Sequence, residues 1–331
     1  MKHTVRRSLP FALASLAAWF VLALPLPASA ADASPYPARP VKLLVGAPAG
    51  SPPDTVARTF IEGLSPLLGQ PVIVENRPGA GTMIAAESAA RTRPDGYTLH
   101  LSTVANAINQ TMMPRENFDF DTSFEHIARV GSGGSVLIVR ADSAIQSLQD
   151  LTAQAKARPA ALNYGSSGVG TSSHLAMELL KSRQGVDLTH VPYQNQQLVT
   201  DLLGGAIDVM FINTDAALPM IESGKVRALG VTTASRLESL PDVPTLAEQG
   251  LPDYEVTTWV GISAPAGLAP QVRDILEAAI LKAAANPAFI EKQKFMGSRA
   301  SPLPSDDFTR FVHDESAKWA AVIRNAGLKA Q

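Results

Sequence analysis

Two stretches of this 331-residue chain put small residues where a backbone could meet a ligand. Gly46-Ala47-Pro48-Ala49-Gly50-Ser51-Pro52-Pro53-Asp54 and Tyr164-Gly165-Ser166-Ser167-Gly168-Val169-Gly170-Thr171-Ser172-Ser173 each stand between an apolar strand-like run and a helical pattern. The first turn of a helix leaves N–H donors without partners and carries a partial positive charge, which suits an anion. Ser and Thr hydroxyls add donors. The plainer reading of either stretch is a tight turn with Asp54 or Thr171 as helix cap. Two such loops in separate parts of the chain favour binding. The ligand-binding residues expected are Ala47, Pro48, Ala49, Gly50, Ser51 and Asp54 in the first loop, and Ser166, Ser167, Gly168, Gly170 and Thr171 in the second.

Other chemistry finds little support. Gly165 and Gly170-Thr171 have the spacing of a phosphate loop, but no Lys lies between Gly170 and Thr171, so the phosphates lose their main cation. Gly168-Val169-Gly170 is followed by Ser173 where a dinucleotide fingerprint needs Gly. There is no Gly-x-Ser-x-Gly elbow and no His pair at metal-binding helical spacing. The chain has no Cys, which removes disulfides, thiolate nucleophiles and a lipid anchor on Cys. His174 and His190 could pair with a Ser as base and nucleophile, but lone histidines are more often packed core residues. Asp201, Asp208, Asp215 and Glu222 read as caps or solvated faces. No catalytic residue, metal or cofactor is expected.

The composition permits a large core, with 46% hydrophobic and 18% charged residues. The net charge is -2 without any Lys/Arg block, so nucleic acid is not an expected partner. Lys2, Arg6 and Arg7 precede an apolar run from Phe11 to Leu24, and Ala28-Ser29-Ala30 follows. This is the order of a secretory signal peptide, with cleavage after Ala30 and export to the periplasm. Losing residues 1–30 would take the 28 Lys+Arg to 25 against 30 Asp+Glu, a net charge of -5. An anion would then be drawn by local dipoles, not by the global field.

Apolar runs and helical patterns alternate as β-α-β-α-β from Val41 to Leu101, then resume with strands at Val136–Val139, Leu162–Tyr164, Asp208–Phe211, Arg227–Thr232 and Thr257–Ser263. Helices are expected at Asp54–Leu68, Thr82–Arg91, Ser147–Ala157, Thr171–Arg183, Pro270–Ala285, Pro287–Met296 and Ser305–Ala326. The β-α-β-α-β order predicts a parallel, doubly wound sheet, and the two blocks predict two doubly wound α/β lobes. No repeat or flexible linker is apparent. Crossings near Gly131–Ser135 and Tyr254–Thr258 divide the chain into a signal peptide (1–30), a discontinuous first lobe (31–134 and 259–331) and a second lobe (135–258).

Motifs along the chain add a resemblance. Tyr36-Pro37-Ala38-Arg39-Pro40-Val41, Glu75-Asn76-Arg77-Pro78-Gly79-Ala80-Gly81, Pro94-Asp95-Gly96-Tyr97-Thr98-Leu99, Tyr164 to Thr171 with His174-Leu175, His190-Val191-Pro192-Tyr193, Asp201-Leu202-Leu203-Gly204-Gly205, Leu240-Pro241-Asp242-Val243-Pro244-Thr245 and Ala264-Pro265-Ala266-Gly267 follow in order. Together they resemble the Bug family of tripartite tricarboxylate transporter substrate-binding proteins, over essentially all of the chain past the leader. The resemblance implies a periplasmic-binding-protein fold of the second type and a monomer whose cleft closes on a small carboxylate. It implies delivery to membrane permease subunits or presentation to a sensor kinase, with no catalysis. It implies that the two loops hold a ligand carboxylate, and it extends the expected site to Thr103, Asn106, Tyr193 and Asn213. The sequence departs from the family at Ala47 for Phe, at Ser51 and Thr82 for Gly, at Ala105-Asn106 for Thr-His, at Gln194-Asn195 for Lys-Gly, and at Asn213 for Asp. Such changes point to a non-amino carboxylate, aromatic or dicarboxylic.

Overall fold

Strand β1 (Val41–Val45) is buried except at Lys42, as a strand covered on both faces must be. Helix α1 (Pro52–Leu68) buries Val56, Phe60, Leu64 and Leu68 in one stripe and ends on Gly69, whose φ of 66° only glycine adopts freely. The first part continues with β2 (Val72–Asn76), α2 (Met83–Ala90), β3 (Thr98–Thr103) and α3 (Val104–Met112). Next come β4 (Phe124–Arg140), α4 (Leu148–Ala157), β5 (Asn163–Ser166), α5 (Ser172–Gln184), β6 (Thr189–Pro192), α6 (Gln197–Gly204), β7 (Val209–Asn213), α7 (Thr214–Glu222) and β8 (Val226–Val231). The chain closes with β9 (Thr257–Pro265), α8 (Pro270–Ala284), α9 (Pro287–Phe295), β10 (Ser298–Leu303) and α10 (Ser305–Asn325). The structure, a computed structural model, describes residues 36–193 and 197–329. The signal peptide expected over 1–30, and Gln194-Asn195, lie outside them.

The ten strands form one sheet in the order β2-β1-β3-β9-β4-β7-β5-β6, with β10 and β8 also paired to β4. β1 runs parallel to β2 and β3, and β5 runs parallel to β6 and β7. β9 is antiparallel to β3, and β4 is antiparallel to β7. So β2-β1-β3-β9 and β6-β5-β7-β4 repeat one topology, although the sequence shows no repeat. The parallel sheet expected from the β-α-β-α-β order holds for β1, β2 and β3, while β9, β4 and β10 run antiparallel to their neighbours. β9 follows β8 after the excursion of residues 232–256 and continues in the same direction along β4.

β4 is the seam. Phe124–Gly134 pair with β9, while Ser135–Val139 pair with β7 and Val136–Arg140 with β8. The sequence suggested only Val136–Val139 as strand. The polar and glycine residues His126, Arg129, Ser132, Gly133 and Gly134 hide the rest, because a strand paired on both edges draws its stability from its ladders as well as from its side chains. Helix α3 and the edge strands β6 and β10 were not anticipated either. β10 is polar and mostly half-exposed. Helix α10 seals the seam: Phe308, Val312, Trp319 and Ile323 share one apolar cluster with Trp259 of β9, Leu137 of β4 and Tyr164 of β5. Both indoles donate to one Glu315 oxygen at 3.1 Å, so this buried carboxylate is fully satisfied by groups from β9 and from its own helix. The described chain from Tyr36 onward forms a single unit.

Candidate functional site

The two glycine-rich loops occupy equivalent places, after β1 and after β5, and they share one hydrogen-bond frame. In the first, the Gly50 N–H donates to Asp54 Oδ2 at 2.8 Å, the Ser51 hydroxyl to Pro48 O at 2.6 Å, and the Ser51 N–H to the same oxygen at 3.2 Å. In the second, the Gly170 N–H donates to His174 Nδ1 at 3.0 Å, the Thr171 hydroxyl to Gly168 O at 2.8 Å, and the Thr171 N–H to that oxygen at 3.3 Å. Gly50 and Gly170 have φ of 80° and 75°, where a side chain would be strained. The helix caps Ser51 and Thr171 have φ/ψ of -73°/161° and -77°/161°. Pro48, Gly50, Ser51 and Asp54 thus correspond to Gly168, Gly170, Thr171 and His174.

The frames match, but their chemistry does not. α1 opens with Pro52-Pro53, which carry no N–H, so two of its first donors are absent. α5 opens with Ser172, Ser173 and His174, whose N–H groups have no partner among the described residues. The acceptor below the first loop is a carboxylate. Asp54 is buried and also receives Arg58 Nε at 2.9 Å and Asn76 Nδ2 at 2.8 Å. Burial alone would push its carboxyl up, but the donors from Arg58, Gly50 and Asn76 outweigh burial and hold it below the ordinary value. Asn76 also ties Ala47 O at 3.0 Å. The contacts of Asp54, a residue expected at the ligand, brace the loop.

Below the second loop the acceptor is neutral. His174 is buried, and by accepting at Nδ1 it must carry its proton on Nε2. It stacks on His190 with ring centres 3.9 Å apart, and His190 stacks on Tyr164 at 4.7 Å. Burial lowers His174, and burial first, then the His174 charge, hold His190 down at about 4. Both rings are packed, as the sequence suggested. Ser166 Oγ lies 2.6 Å from His190 Nε2, the spacing of a nucleophile and base, but Ser166 is fully buried and its oxygen also receives the Gly168 N–H at 3.1 Å. The Ser167 N–H reaches Ser173 Oγ at 3.2 Å, and Ser173 Oγ lies 3.1 Å from Thr171 Oγ. The hydroxyls therefore set the loop's shape, and the N–H groups of Ser172, Ser173 and His174 remain as its unfilled donors among the described residues.

Helix α3 stands between the loops. Gly46 has no room for a side chain: a Cβ there would come within 2.7 Å of Thr82 Cβ. Asn109 donates to Gly81 O at 2.7 Å and holds this Gly79–Thr82 turn, in which Ala80 and Thr82 take φ of 45° and 81°. One turn further along α3, Met112 packs on Gly170, where a Cβ would lie 3.1 Å from the thioether methyl. Asn109 and Met112 are three apart and share a helix face. The sequence gave no sign of either. Thr103 and Asn106, expected as ligand contacts, turn inward: Asn106 is fully buried and its oxygen receives the Thr103 N–H at 2.9 Å. The Tyr193 N–H donates to Ser166 O at 2.9 Å and its hydroxyl to Asp201 at 2.8 Å. Burial first, then Asp201, push that hydroxyl up to about 12. Asn213 is exposed at the start of α7, and its side-chain oxygen receives a 3.5 Å bond from Ser135 Oγ.

Two cavities of about 380 and 500 Å³ lie elsewhere, and neither is lined by the loops. Among the described residues no cluster of His, Cys, Asp and Glu could hold a metal, and no helix is long and apolar enough to cross a membrane.

A strand–loop–helix frame used twice in a sheet of repeated topology belongs to the periplasmic-binding-protein fold. The solved periplasmic binding protein BugD, 33% identical with a TM-score of 0.72 over 89% of this chain and all of that one, also has it. The sequence pattern of the TctC family, the tripartite tricarboxylate transporter family receptor, matches residues 56–328, and the chain belongs to that family. BugT of Bordetella pertussis is 35% identical over 307 residues, 91% of this chain and 94% of BugT. The Rhodopseudomonas palustris protein Rpa4515, solved with adipate, is 31% identical with a TM-score of 0.75, covering 89% of this chain and all of that one. MatC from the same organism, with bound malate, is 28% identical with a TM-score of 0.70, covering 87% and 100%. The family is one of solute-binding receptors, not of enzymes.

Proposed function

We propose that this protein is an exported receptor that captures a small non-amino carboxylate between two lobes and hands it to the permease of a tripartite tricarboxylate-type transporter. The observation that carries the reading is the asymmetry of the paired loops about α3. The N–H groups of Ser172, Ser173 and His174 over a neutral histidine favour a carboxylate at the second loop. The first loop, with its prolines and Asp54, favours the less charged end of the ligand. The lobes are residues 31–134 with 259–331, and residues 135–258. They move about the point where β4 changes partners between Gly134 and Ser135 and about the entry to β9 at Thr257. Ligand contacts from both sides favour the closed state by their differential affinity.

Two relatives were solved with the dicarboxylates adipate and malate. Ala47 is small where the family resemblance places an aromatic ring, which leaves room beside the first loop. Asn213 is neutral and exposed, so no fixed negative charge there favours an ammonium group. Residues 1–30 supply the export signal, and the mature protein works in the periplasm. Calorimetry and thermal shift against adipate, malate, terephthalate, benzoate, citrate, aspartate and glutamate test the reading. At 100 times its dissociation constant the right acid stabilises by about 2.7 kcal/mol. A dicarboxylate or aromatic acid is expected to bind tightest; tightest binding of an amino acid overturns the ligand class.

A further inference from the structure

The cavity of about 380 Å³ at the seam is lined from both halves of the sheet. Ser132–Gly134 of β4 and the turn Gly297–Arg299 into β10 form one wall; Thr233 and the 235–239 loop after β8 form the other. Its volume falls in the range of small-molecule sites, about 300–1,000 Å³. The charges around it are unequal. Arg236 is paired with Glu248 at 3.0 Å, and Lys294 with Glu291 at 3.7 Å. Glu238 is the acid on the lining. Arg299 has no carboxylate within ion-pair distance among the described residues, and its one side-chain bond is a 3.5 Å contact to Ser132 Oγ. Arg129 lies close by on β4. Burial first, then the Arg299 charge, hold its guanidinium below the ordinary value, while Glu255 and Glu315 pull the other way. Leu237 adds an apolar surface to the same lining.

We propose that this cavity is a second ligand site, for a small organic carboxylate anchored by Arg299. A guanidinium fork takes both oxygens of a carboxylate. The occupant lays its carbon skeleton along Leu237. Because the walls come from both sides of the partner change in β4, it also ties the two halves together at the seam.

Crystals soaked with 4-bromobenzoate test the site, since bromine is located by its anomalous scattering. A bromine in the seam cavity with its carboxylate on Arg299 is expected. In solution, calorimetry with 4-bromobenzoate should show Arg299→Gln lowering affinity at this site at least about tenfold, with Arg299→Lys intermediate and the melting temperature unchanged. Ser172→Pro, which strips a donor from the second loop, should leave the seam site intact and weaken only the loop site. The two sites therefore fail or stand separately. Bromine absent from the cavity, binding at crystal concentration only, or an affinity indifferent to Arg299→Gln overturns the proposal. Inorganic phosphate displacing 4-bromobenzoate at equal concentration overturns the carboxylate class.

Discussion

The first and second loops show how one backbone frame is given opposite electrostatic character by a few side chains. Each has a glycine at φ near 80° whose N–H is taken by an acceptor four residues on, and a hydroxyl cap bonded three residues back. That frame solves the problem of turning a strand into a helix. The choice of acceptor and of the first two helical residues then decides what the helix end does. Asp54 with Pro52-Pro53 cancels the positive helix end and removes its donors. His174 with Ser172-Ser173 keeps both. Under the proposed function, the second loop would hold the ligand's charge and the first would read its shape, both from one repeated topology.

Acid should separate the loops most strongly. His174 and His190 are held below the ordinary histidine value, with His190 at about 4. Their folded form is neutral, so their contribution to stability is complete above the unfolded value near 6.5 and is lost as pH falls from there toward 4. Protonating His174 also turns its acceptor into a donor and breaks the bond from Gly170. The stack therefore loses stability progressively over this window. Asp54 is also lowered, and its contribution is lost only as pH falls below the ordinary carboxylate range. Amide exchange followed by mass spectrometry from pH 7 to 4 should show residues 166–174 opening before residues 46–54. Opening in the reverse order would mean that the histidine stack does not support the second loop.

Ser172→Pro should have the next largest effect. Thr171 already sits at φ/ψ of -77°/161°, close to the -73°/161° that Ser51 takes before Pro52, so a following proline is accommodated. Proline at the first helical position is tolerated and removes one N–H. Affinity for the carboxylate found by the screen should fall roughly tenfold, the loss of a hydrogen bond to a charged group at about 1.5 kcal/mol or more. Stability should change by less than about 0.5 kcal/mol. Calorimetry beside urea denaturation reads both. Unchanged affinity would move the carboxylate away from the helix end.

Much of this contrast was visible in the sequence, but not its meaning. Periodicity located most helices and strands within a residue or two, because Val56, Phe60 and Leu64, or Phe308, Val312 and Trp319, stand at helical spacing on buried faces. The glycine loops were found from composition. That Asp54 and His174 occupy the same place was not, since one was read as a ligand contact and the other as core, and equivalence appears only when both N–H acceptors are seen. α3 does carry a helical period in Val104, Ala107, Ile108 and Met112, interrupted to the eye by the buried polar Asn106 and Asn109. The first half of β4 was hidden for another reason, since the small residues from Gly131 to Gly134 serve tertiary contacts that leave no local period.

The smallest effect expected is also the sharpest test of the asymmetry. Pro53→Ala gives the first loop back one of the two donors that α5 retains. Alanine fits the helical geometry, and the cost is the added freedom of the unfolded chain, about 0.4–1 kcal/mol of stability. The new N–H would stand above Asp54, whose carboxylate already receives Gly50, Arg58 and Asn76. A ligand carboxylate would gain a donor there but would still face that negative charge, at least partly screened by Arg58 at the rim. The two contributions oppose, so affinity should stay within about twofold of the parent, against the roughly tenfold expected at Ser172. If calorimetry instead shows Pro53→Ala binding several-fold tighter, the ligand's charge already rests on the first loop. In that case the carboxylate end and the shape-reading end of the cleft must be exchanged.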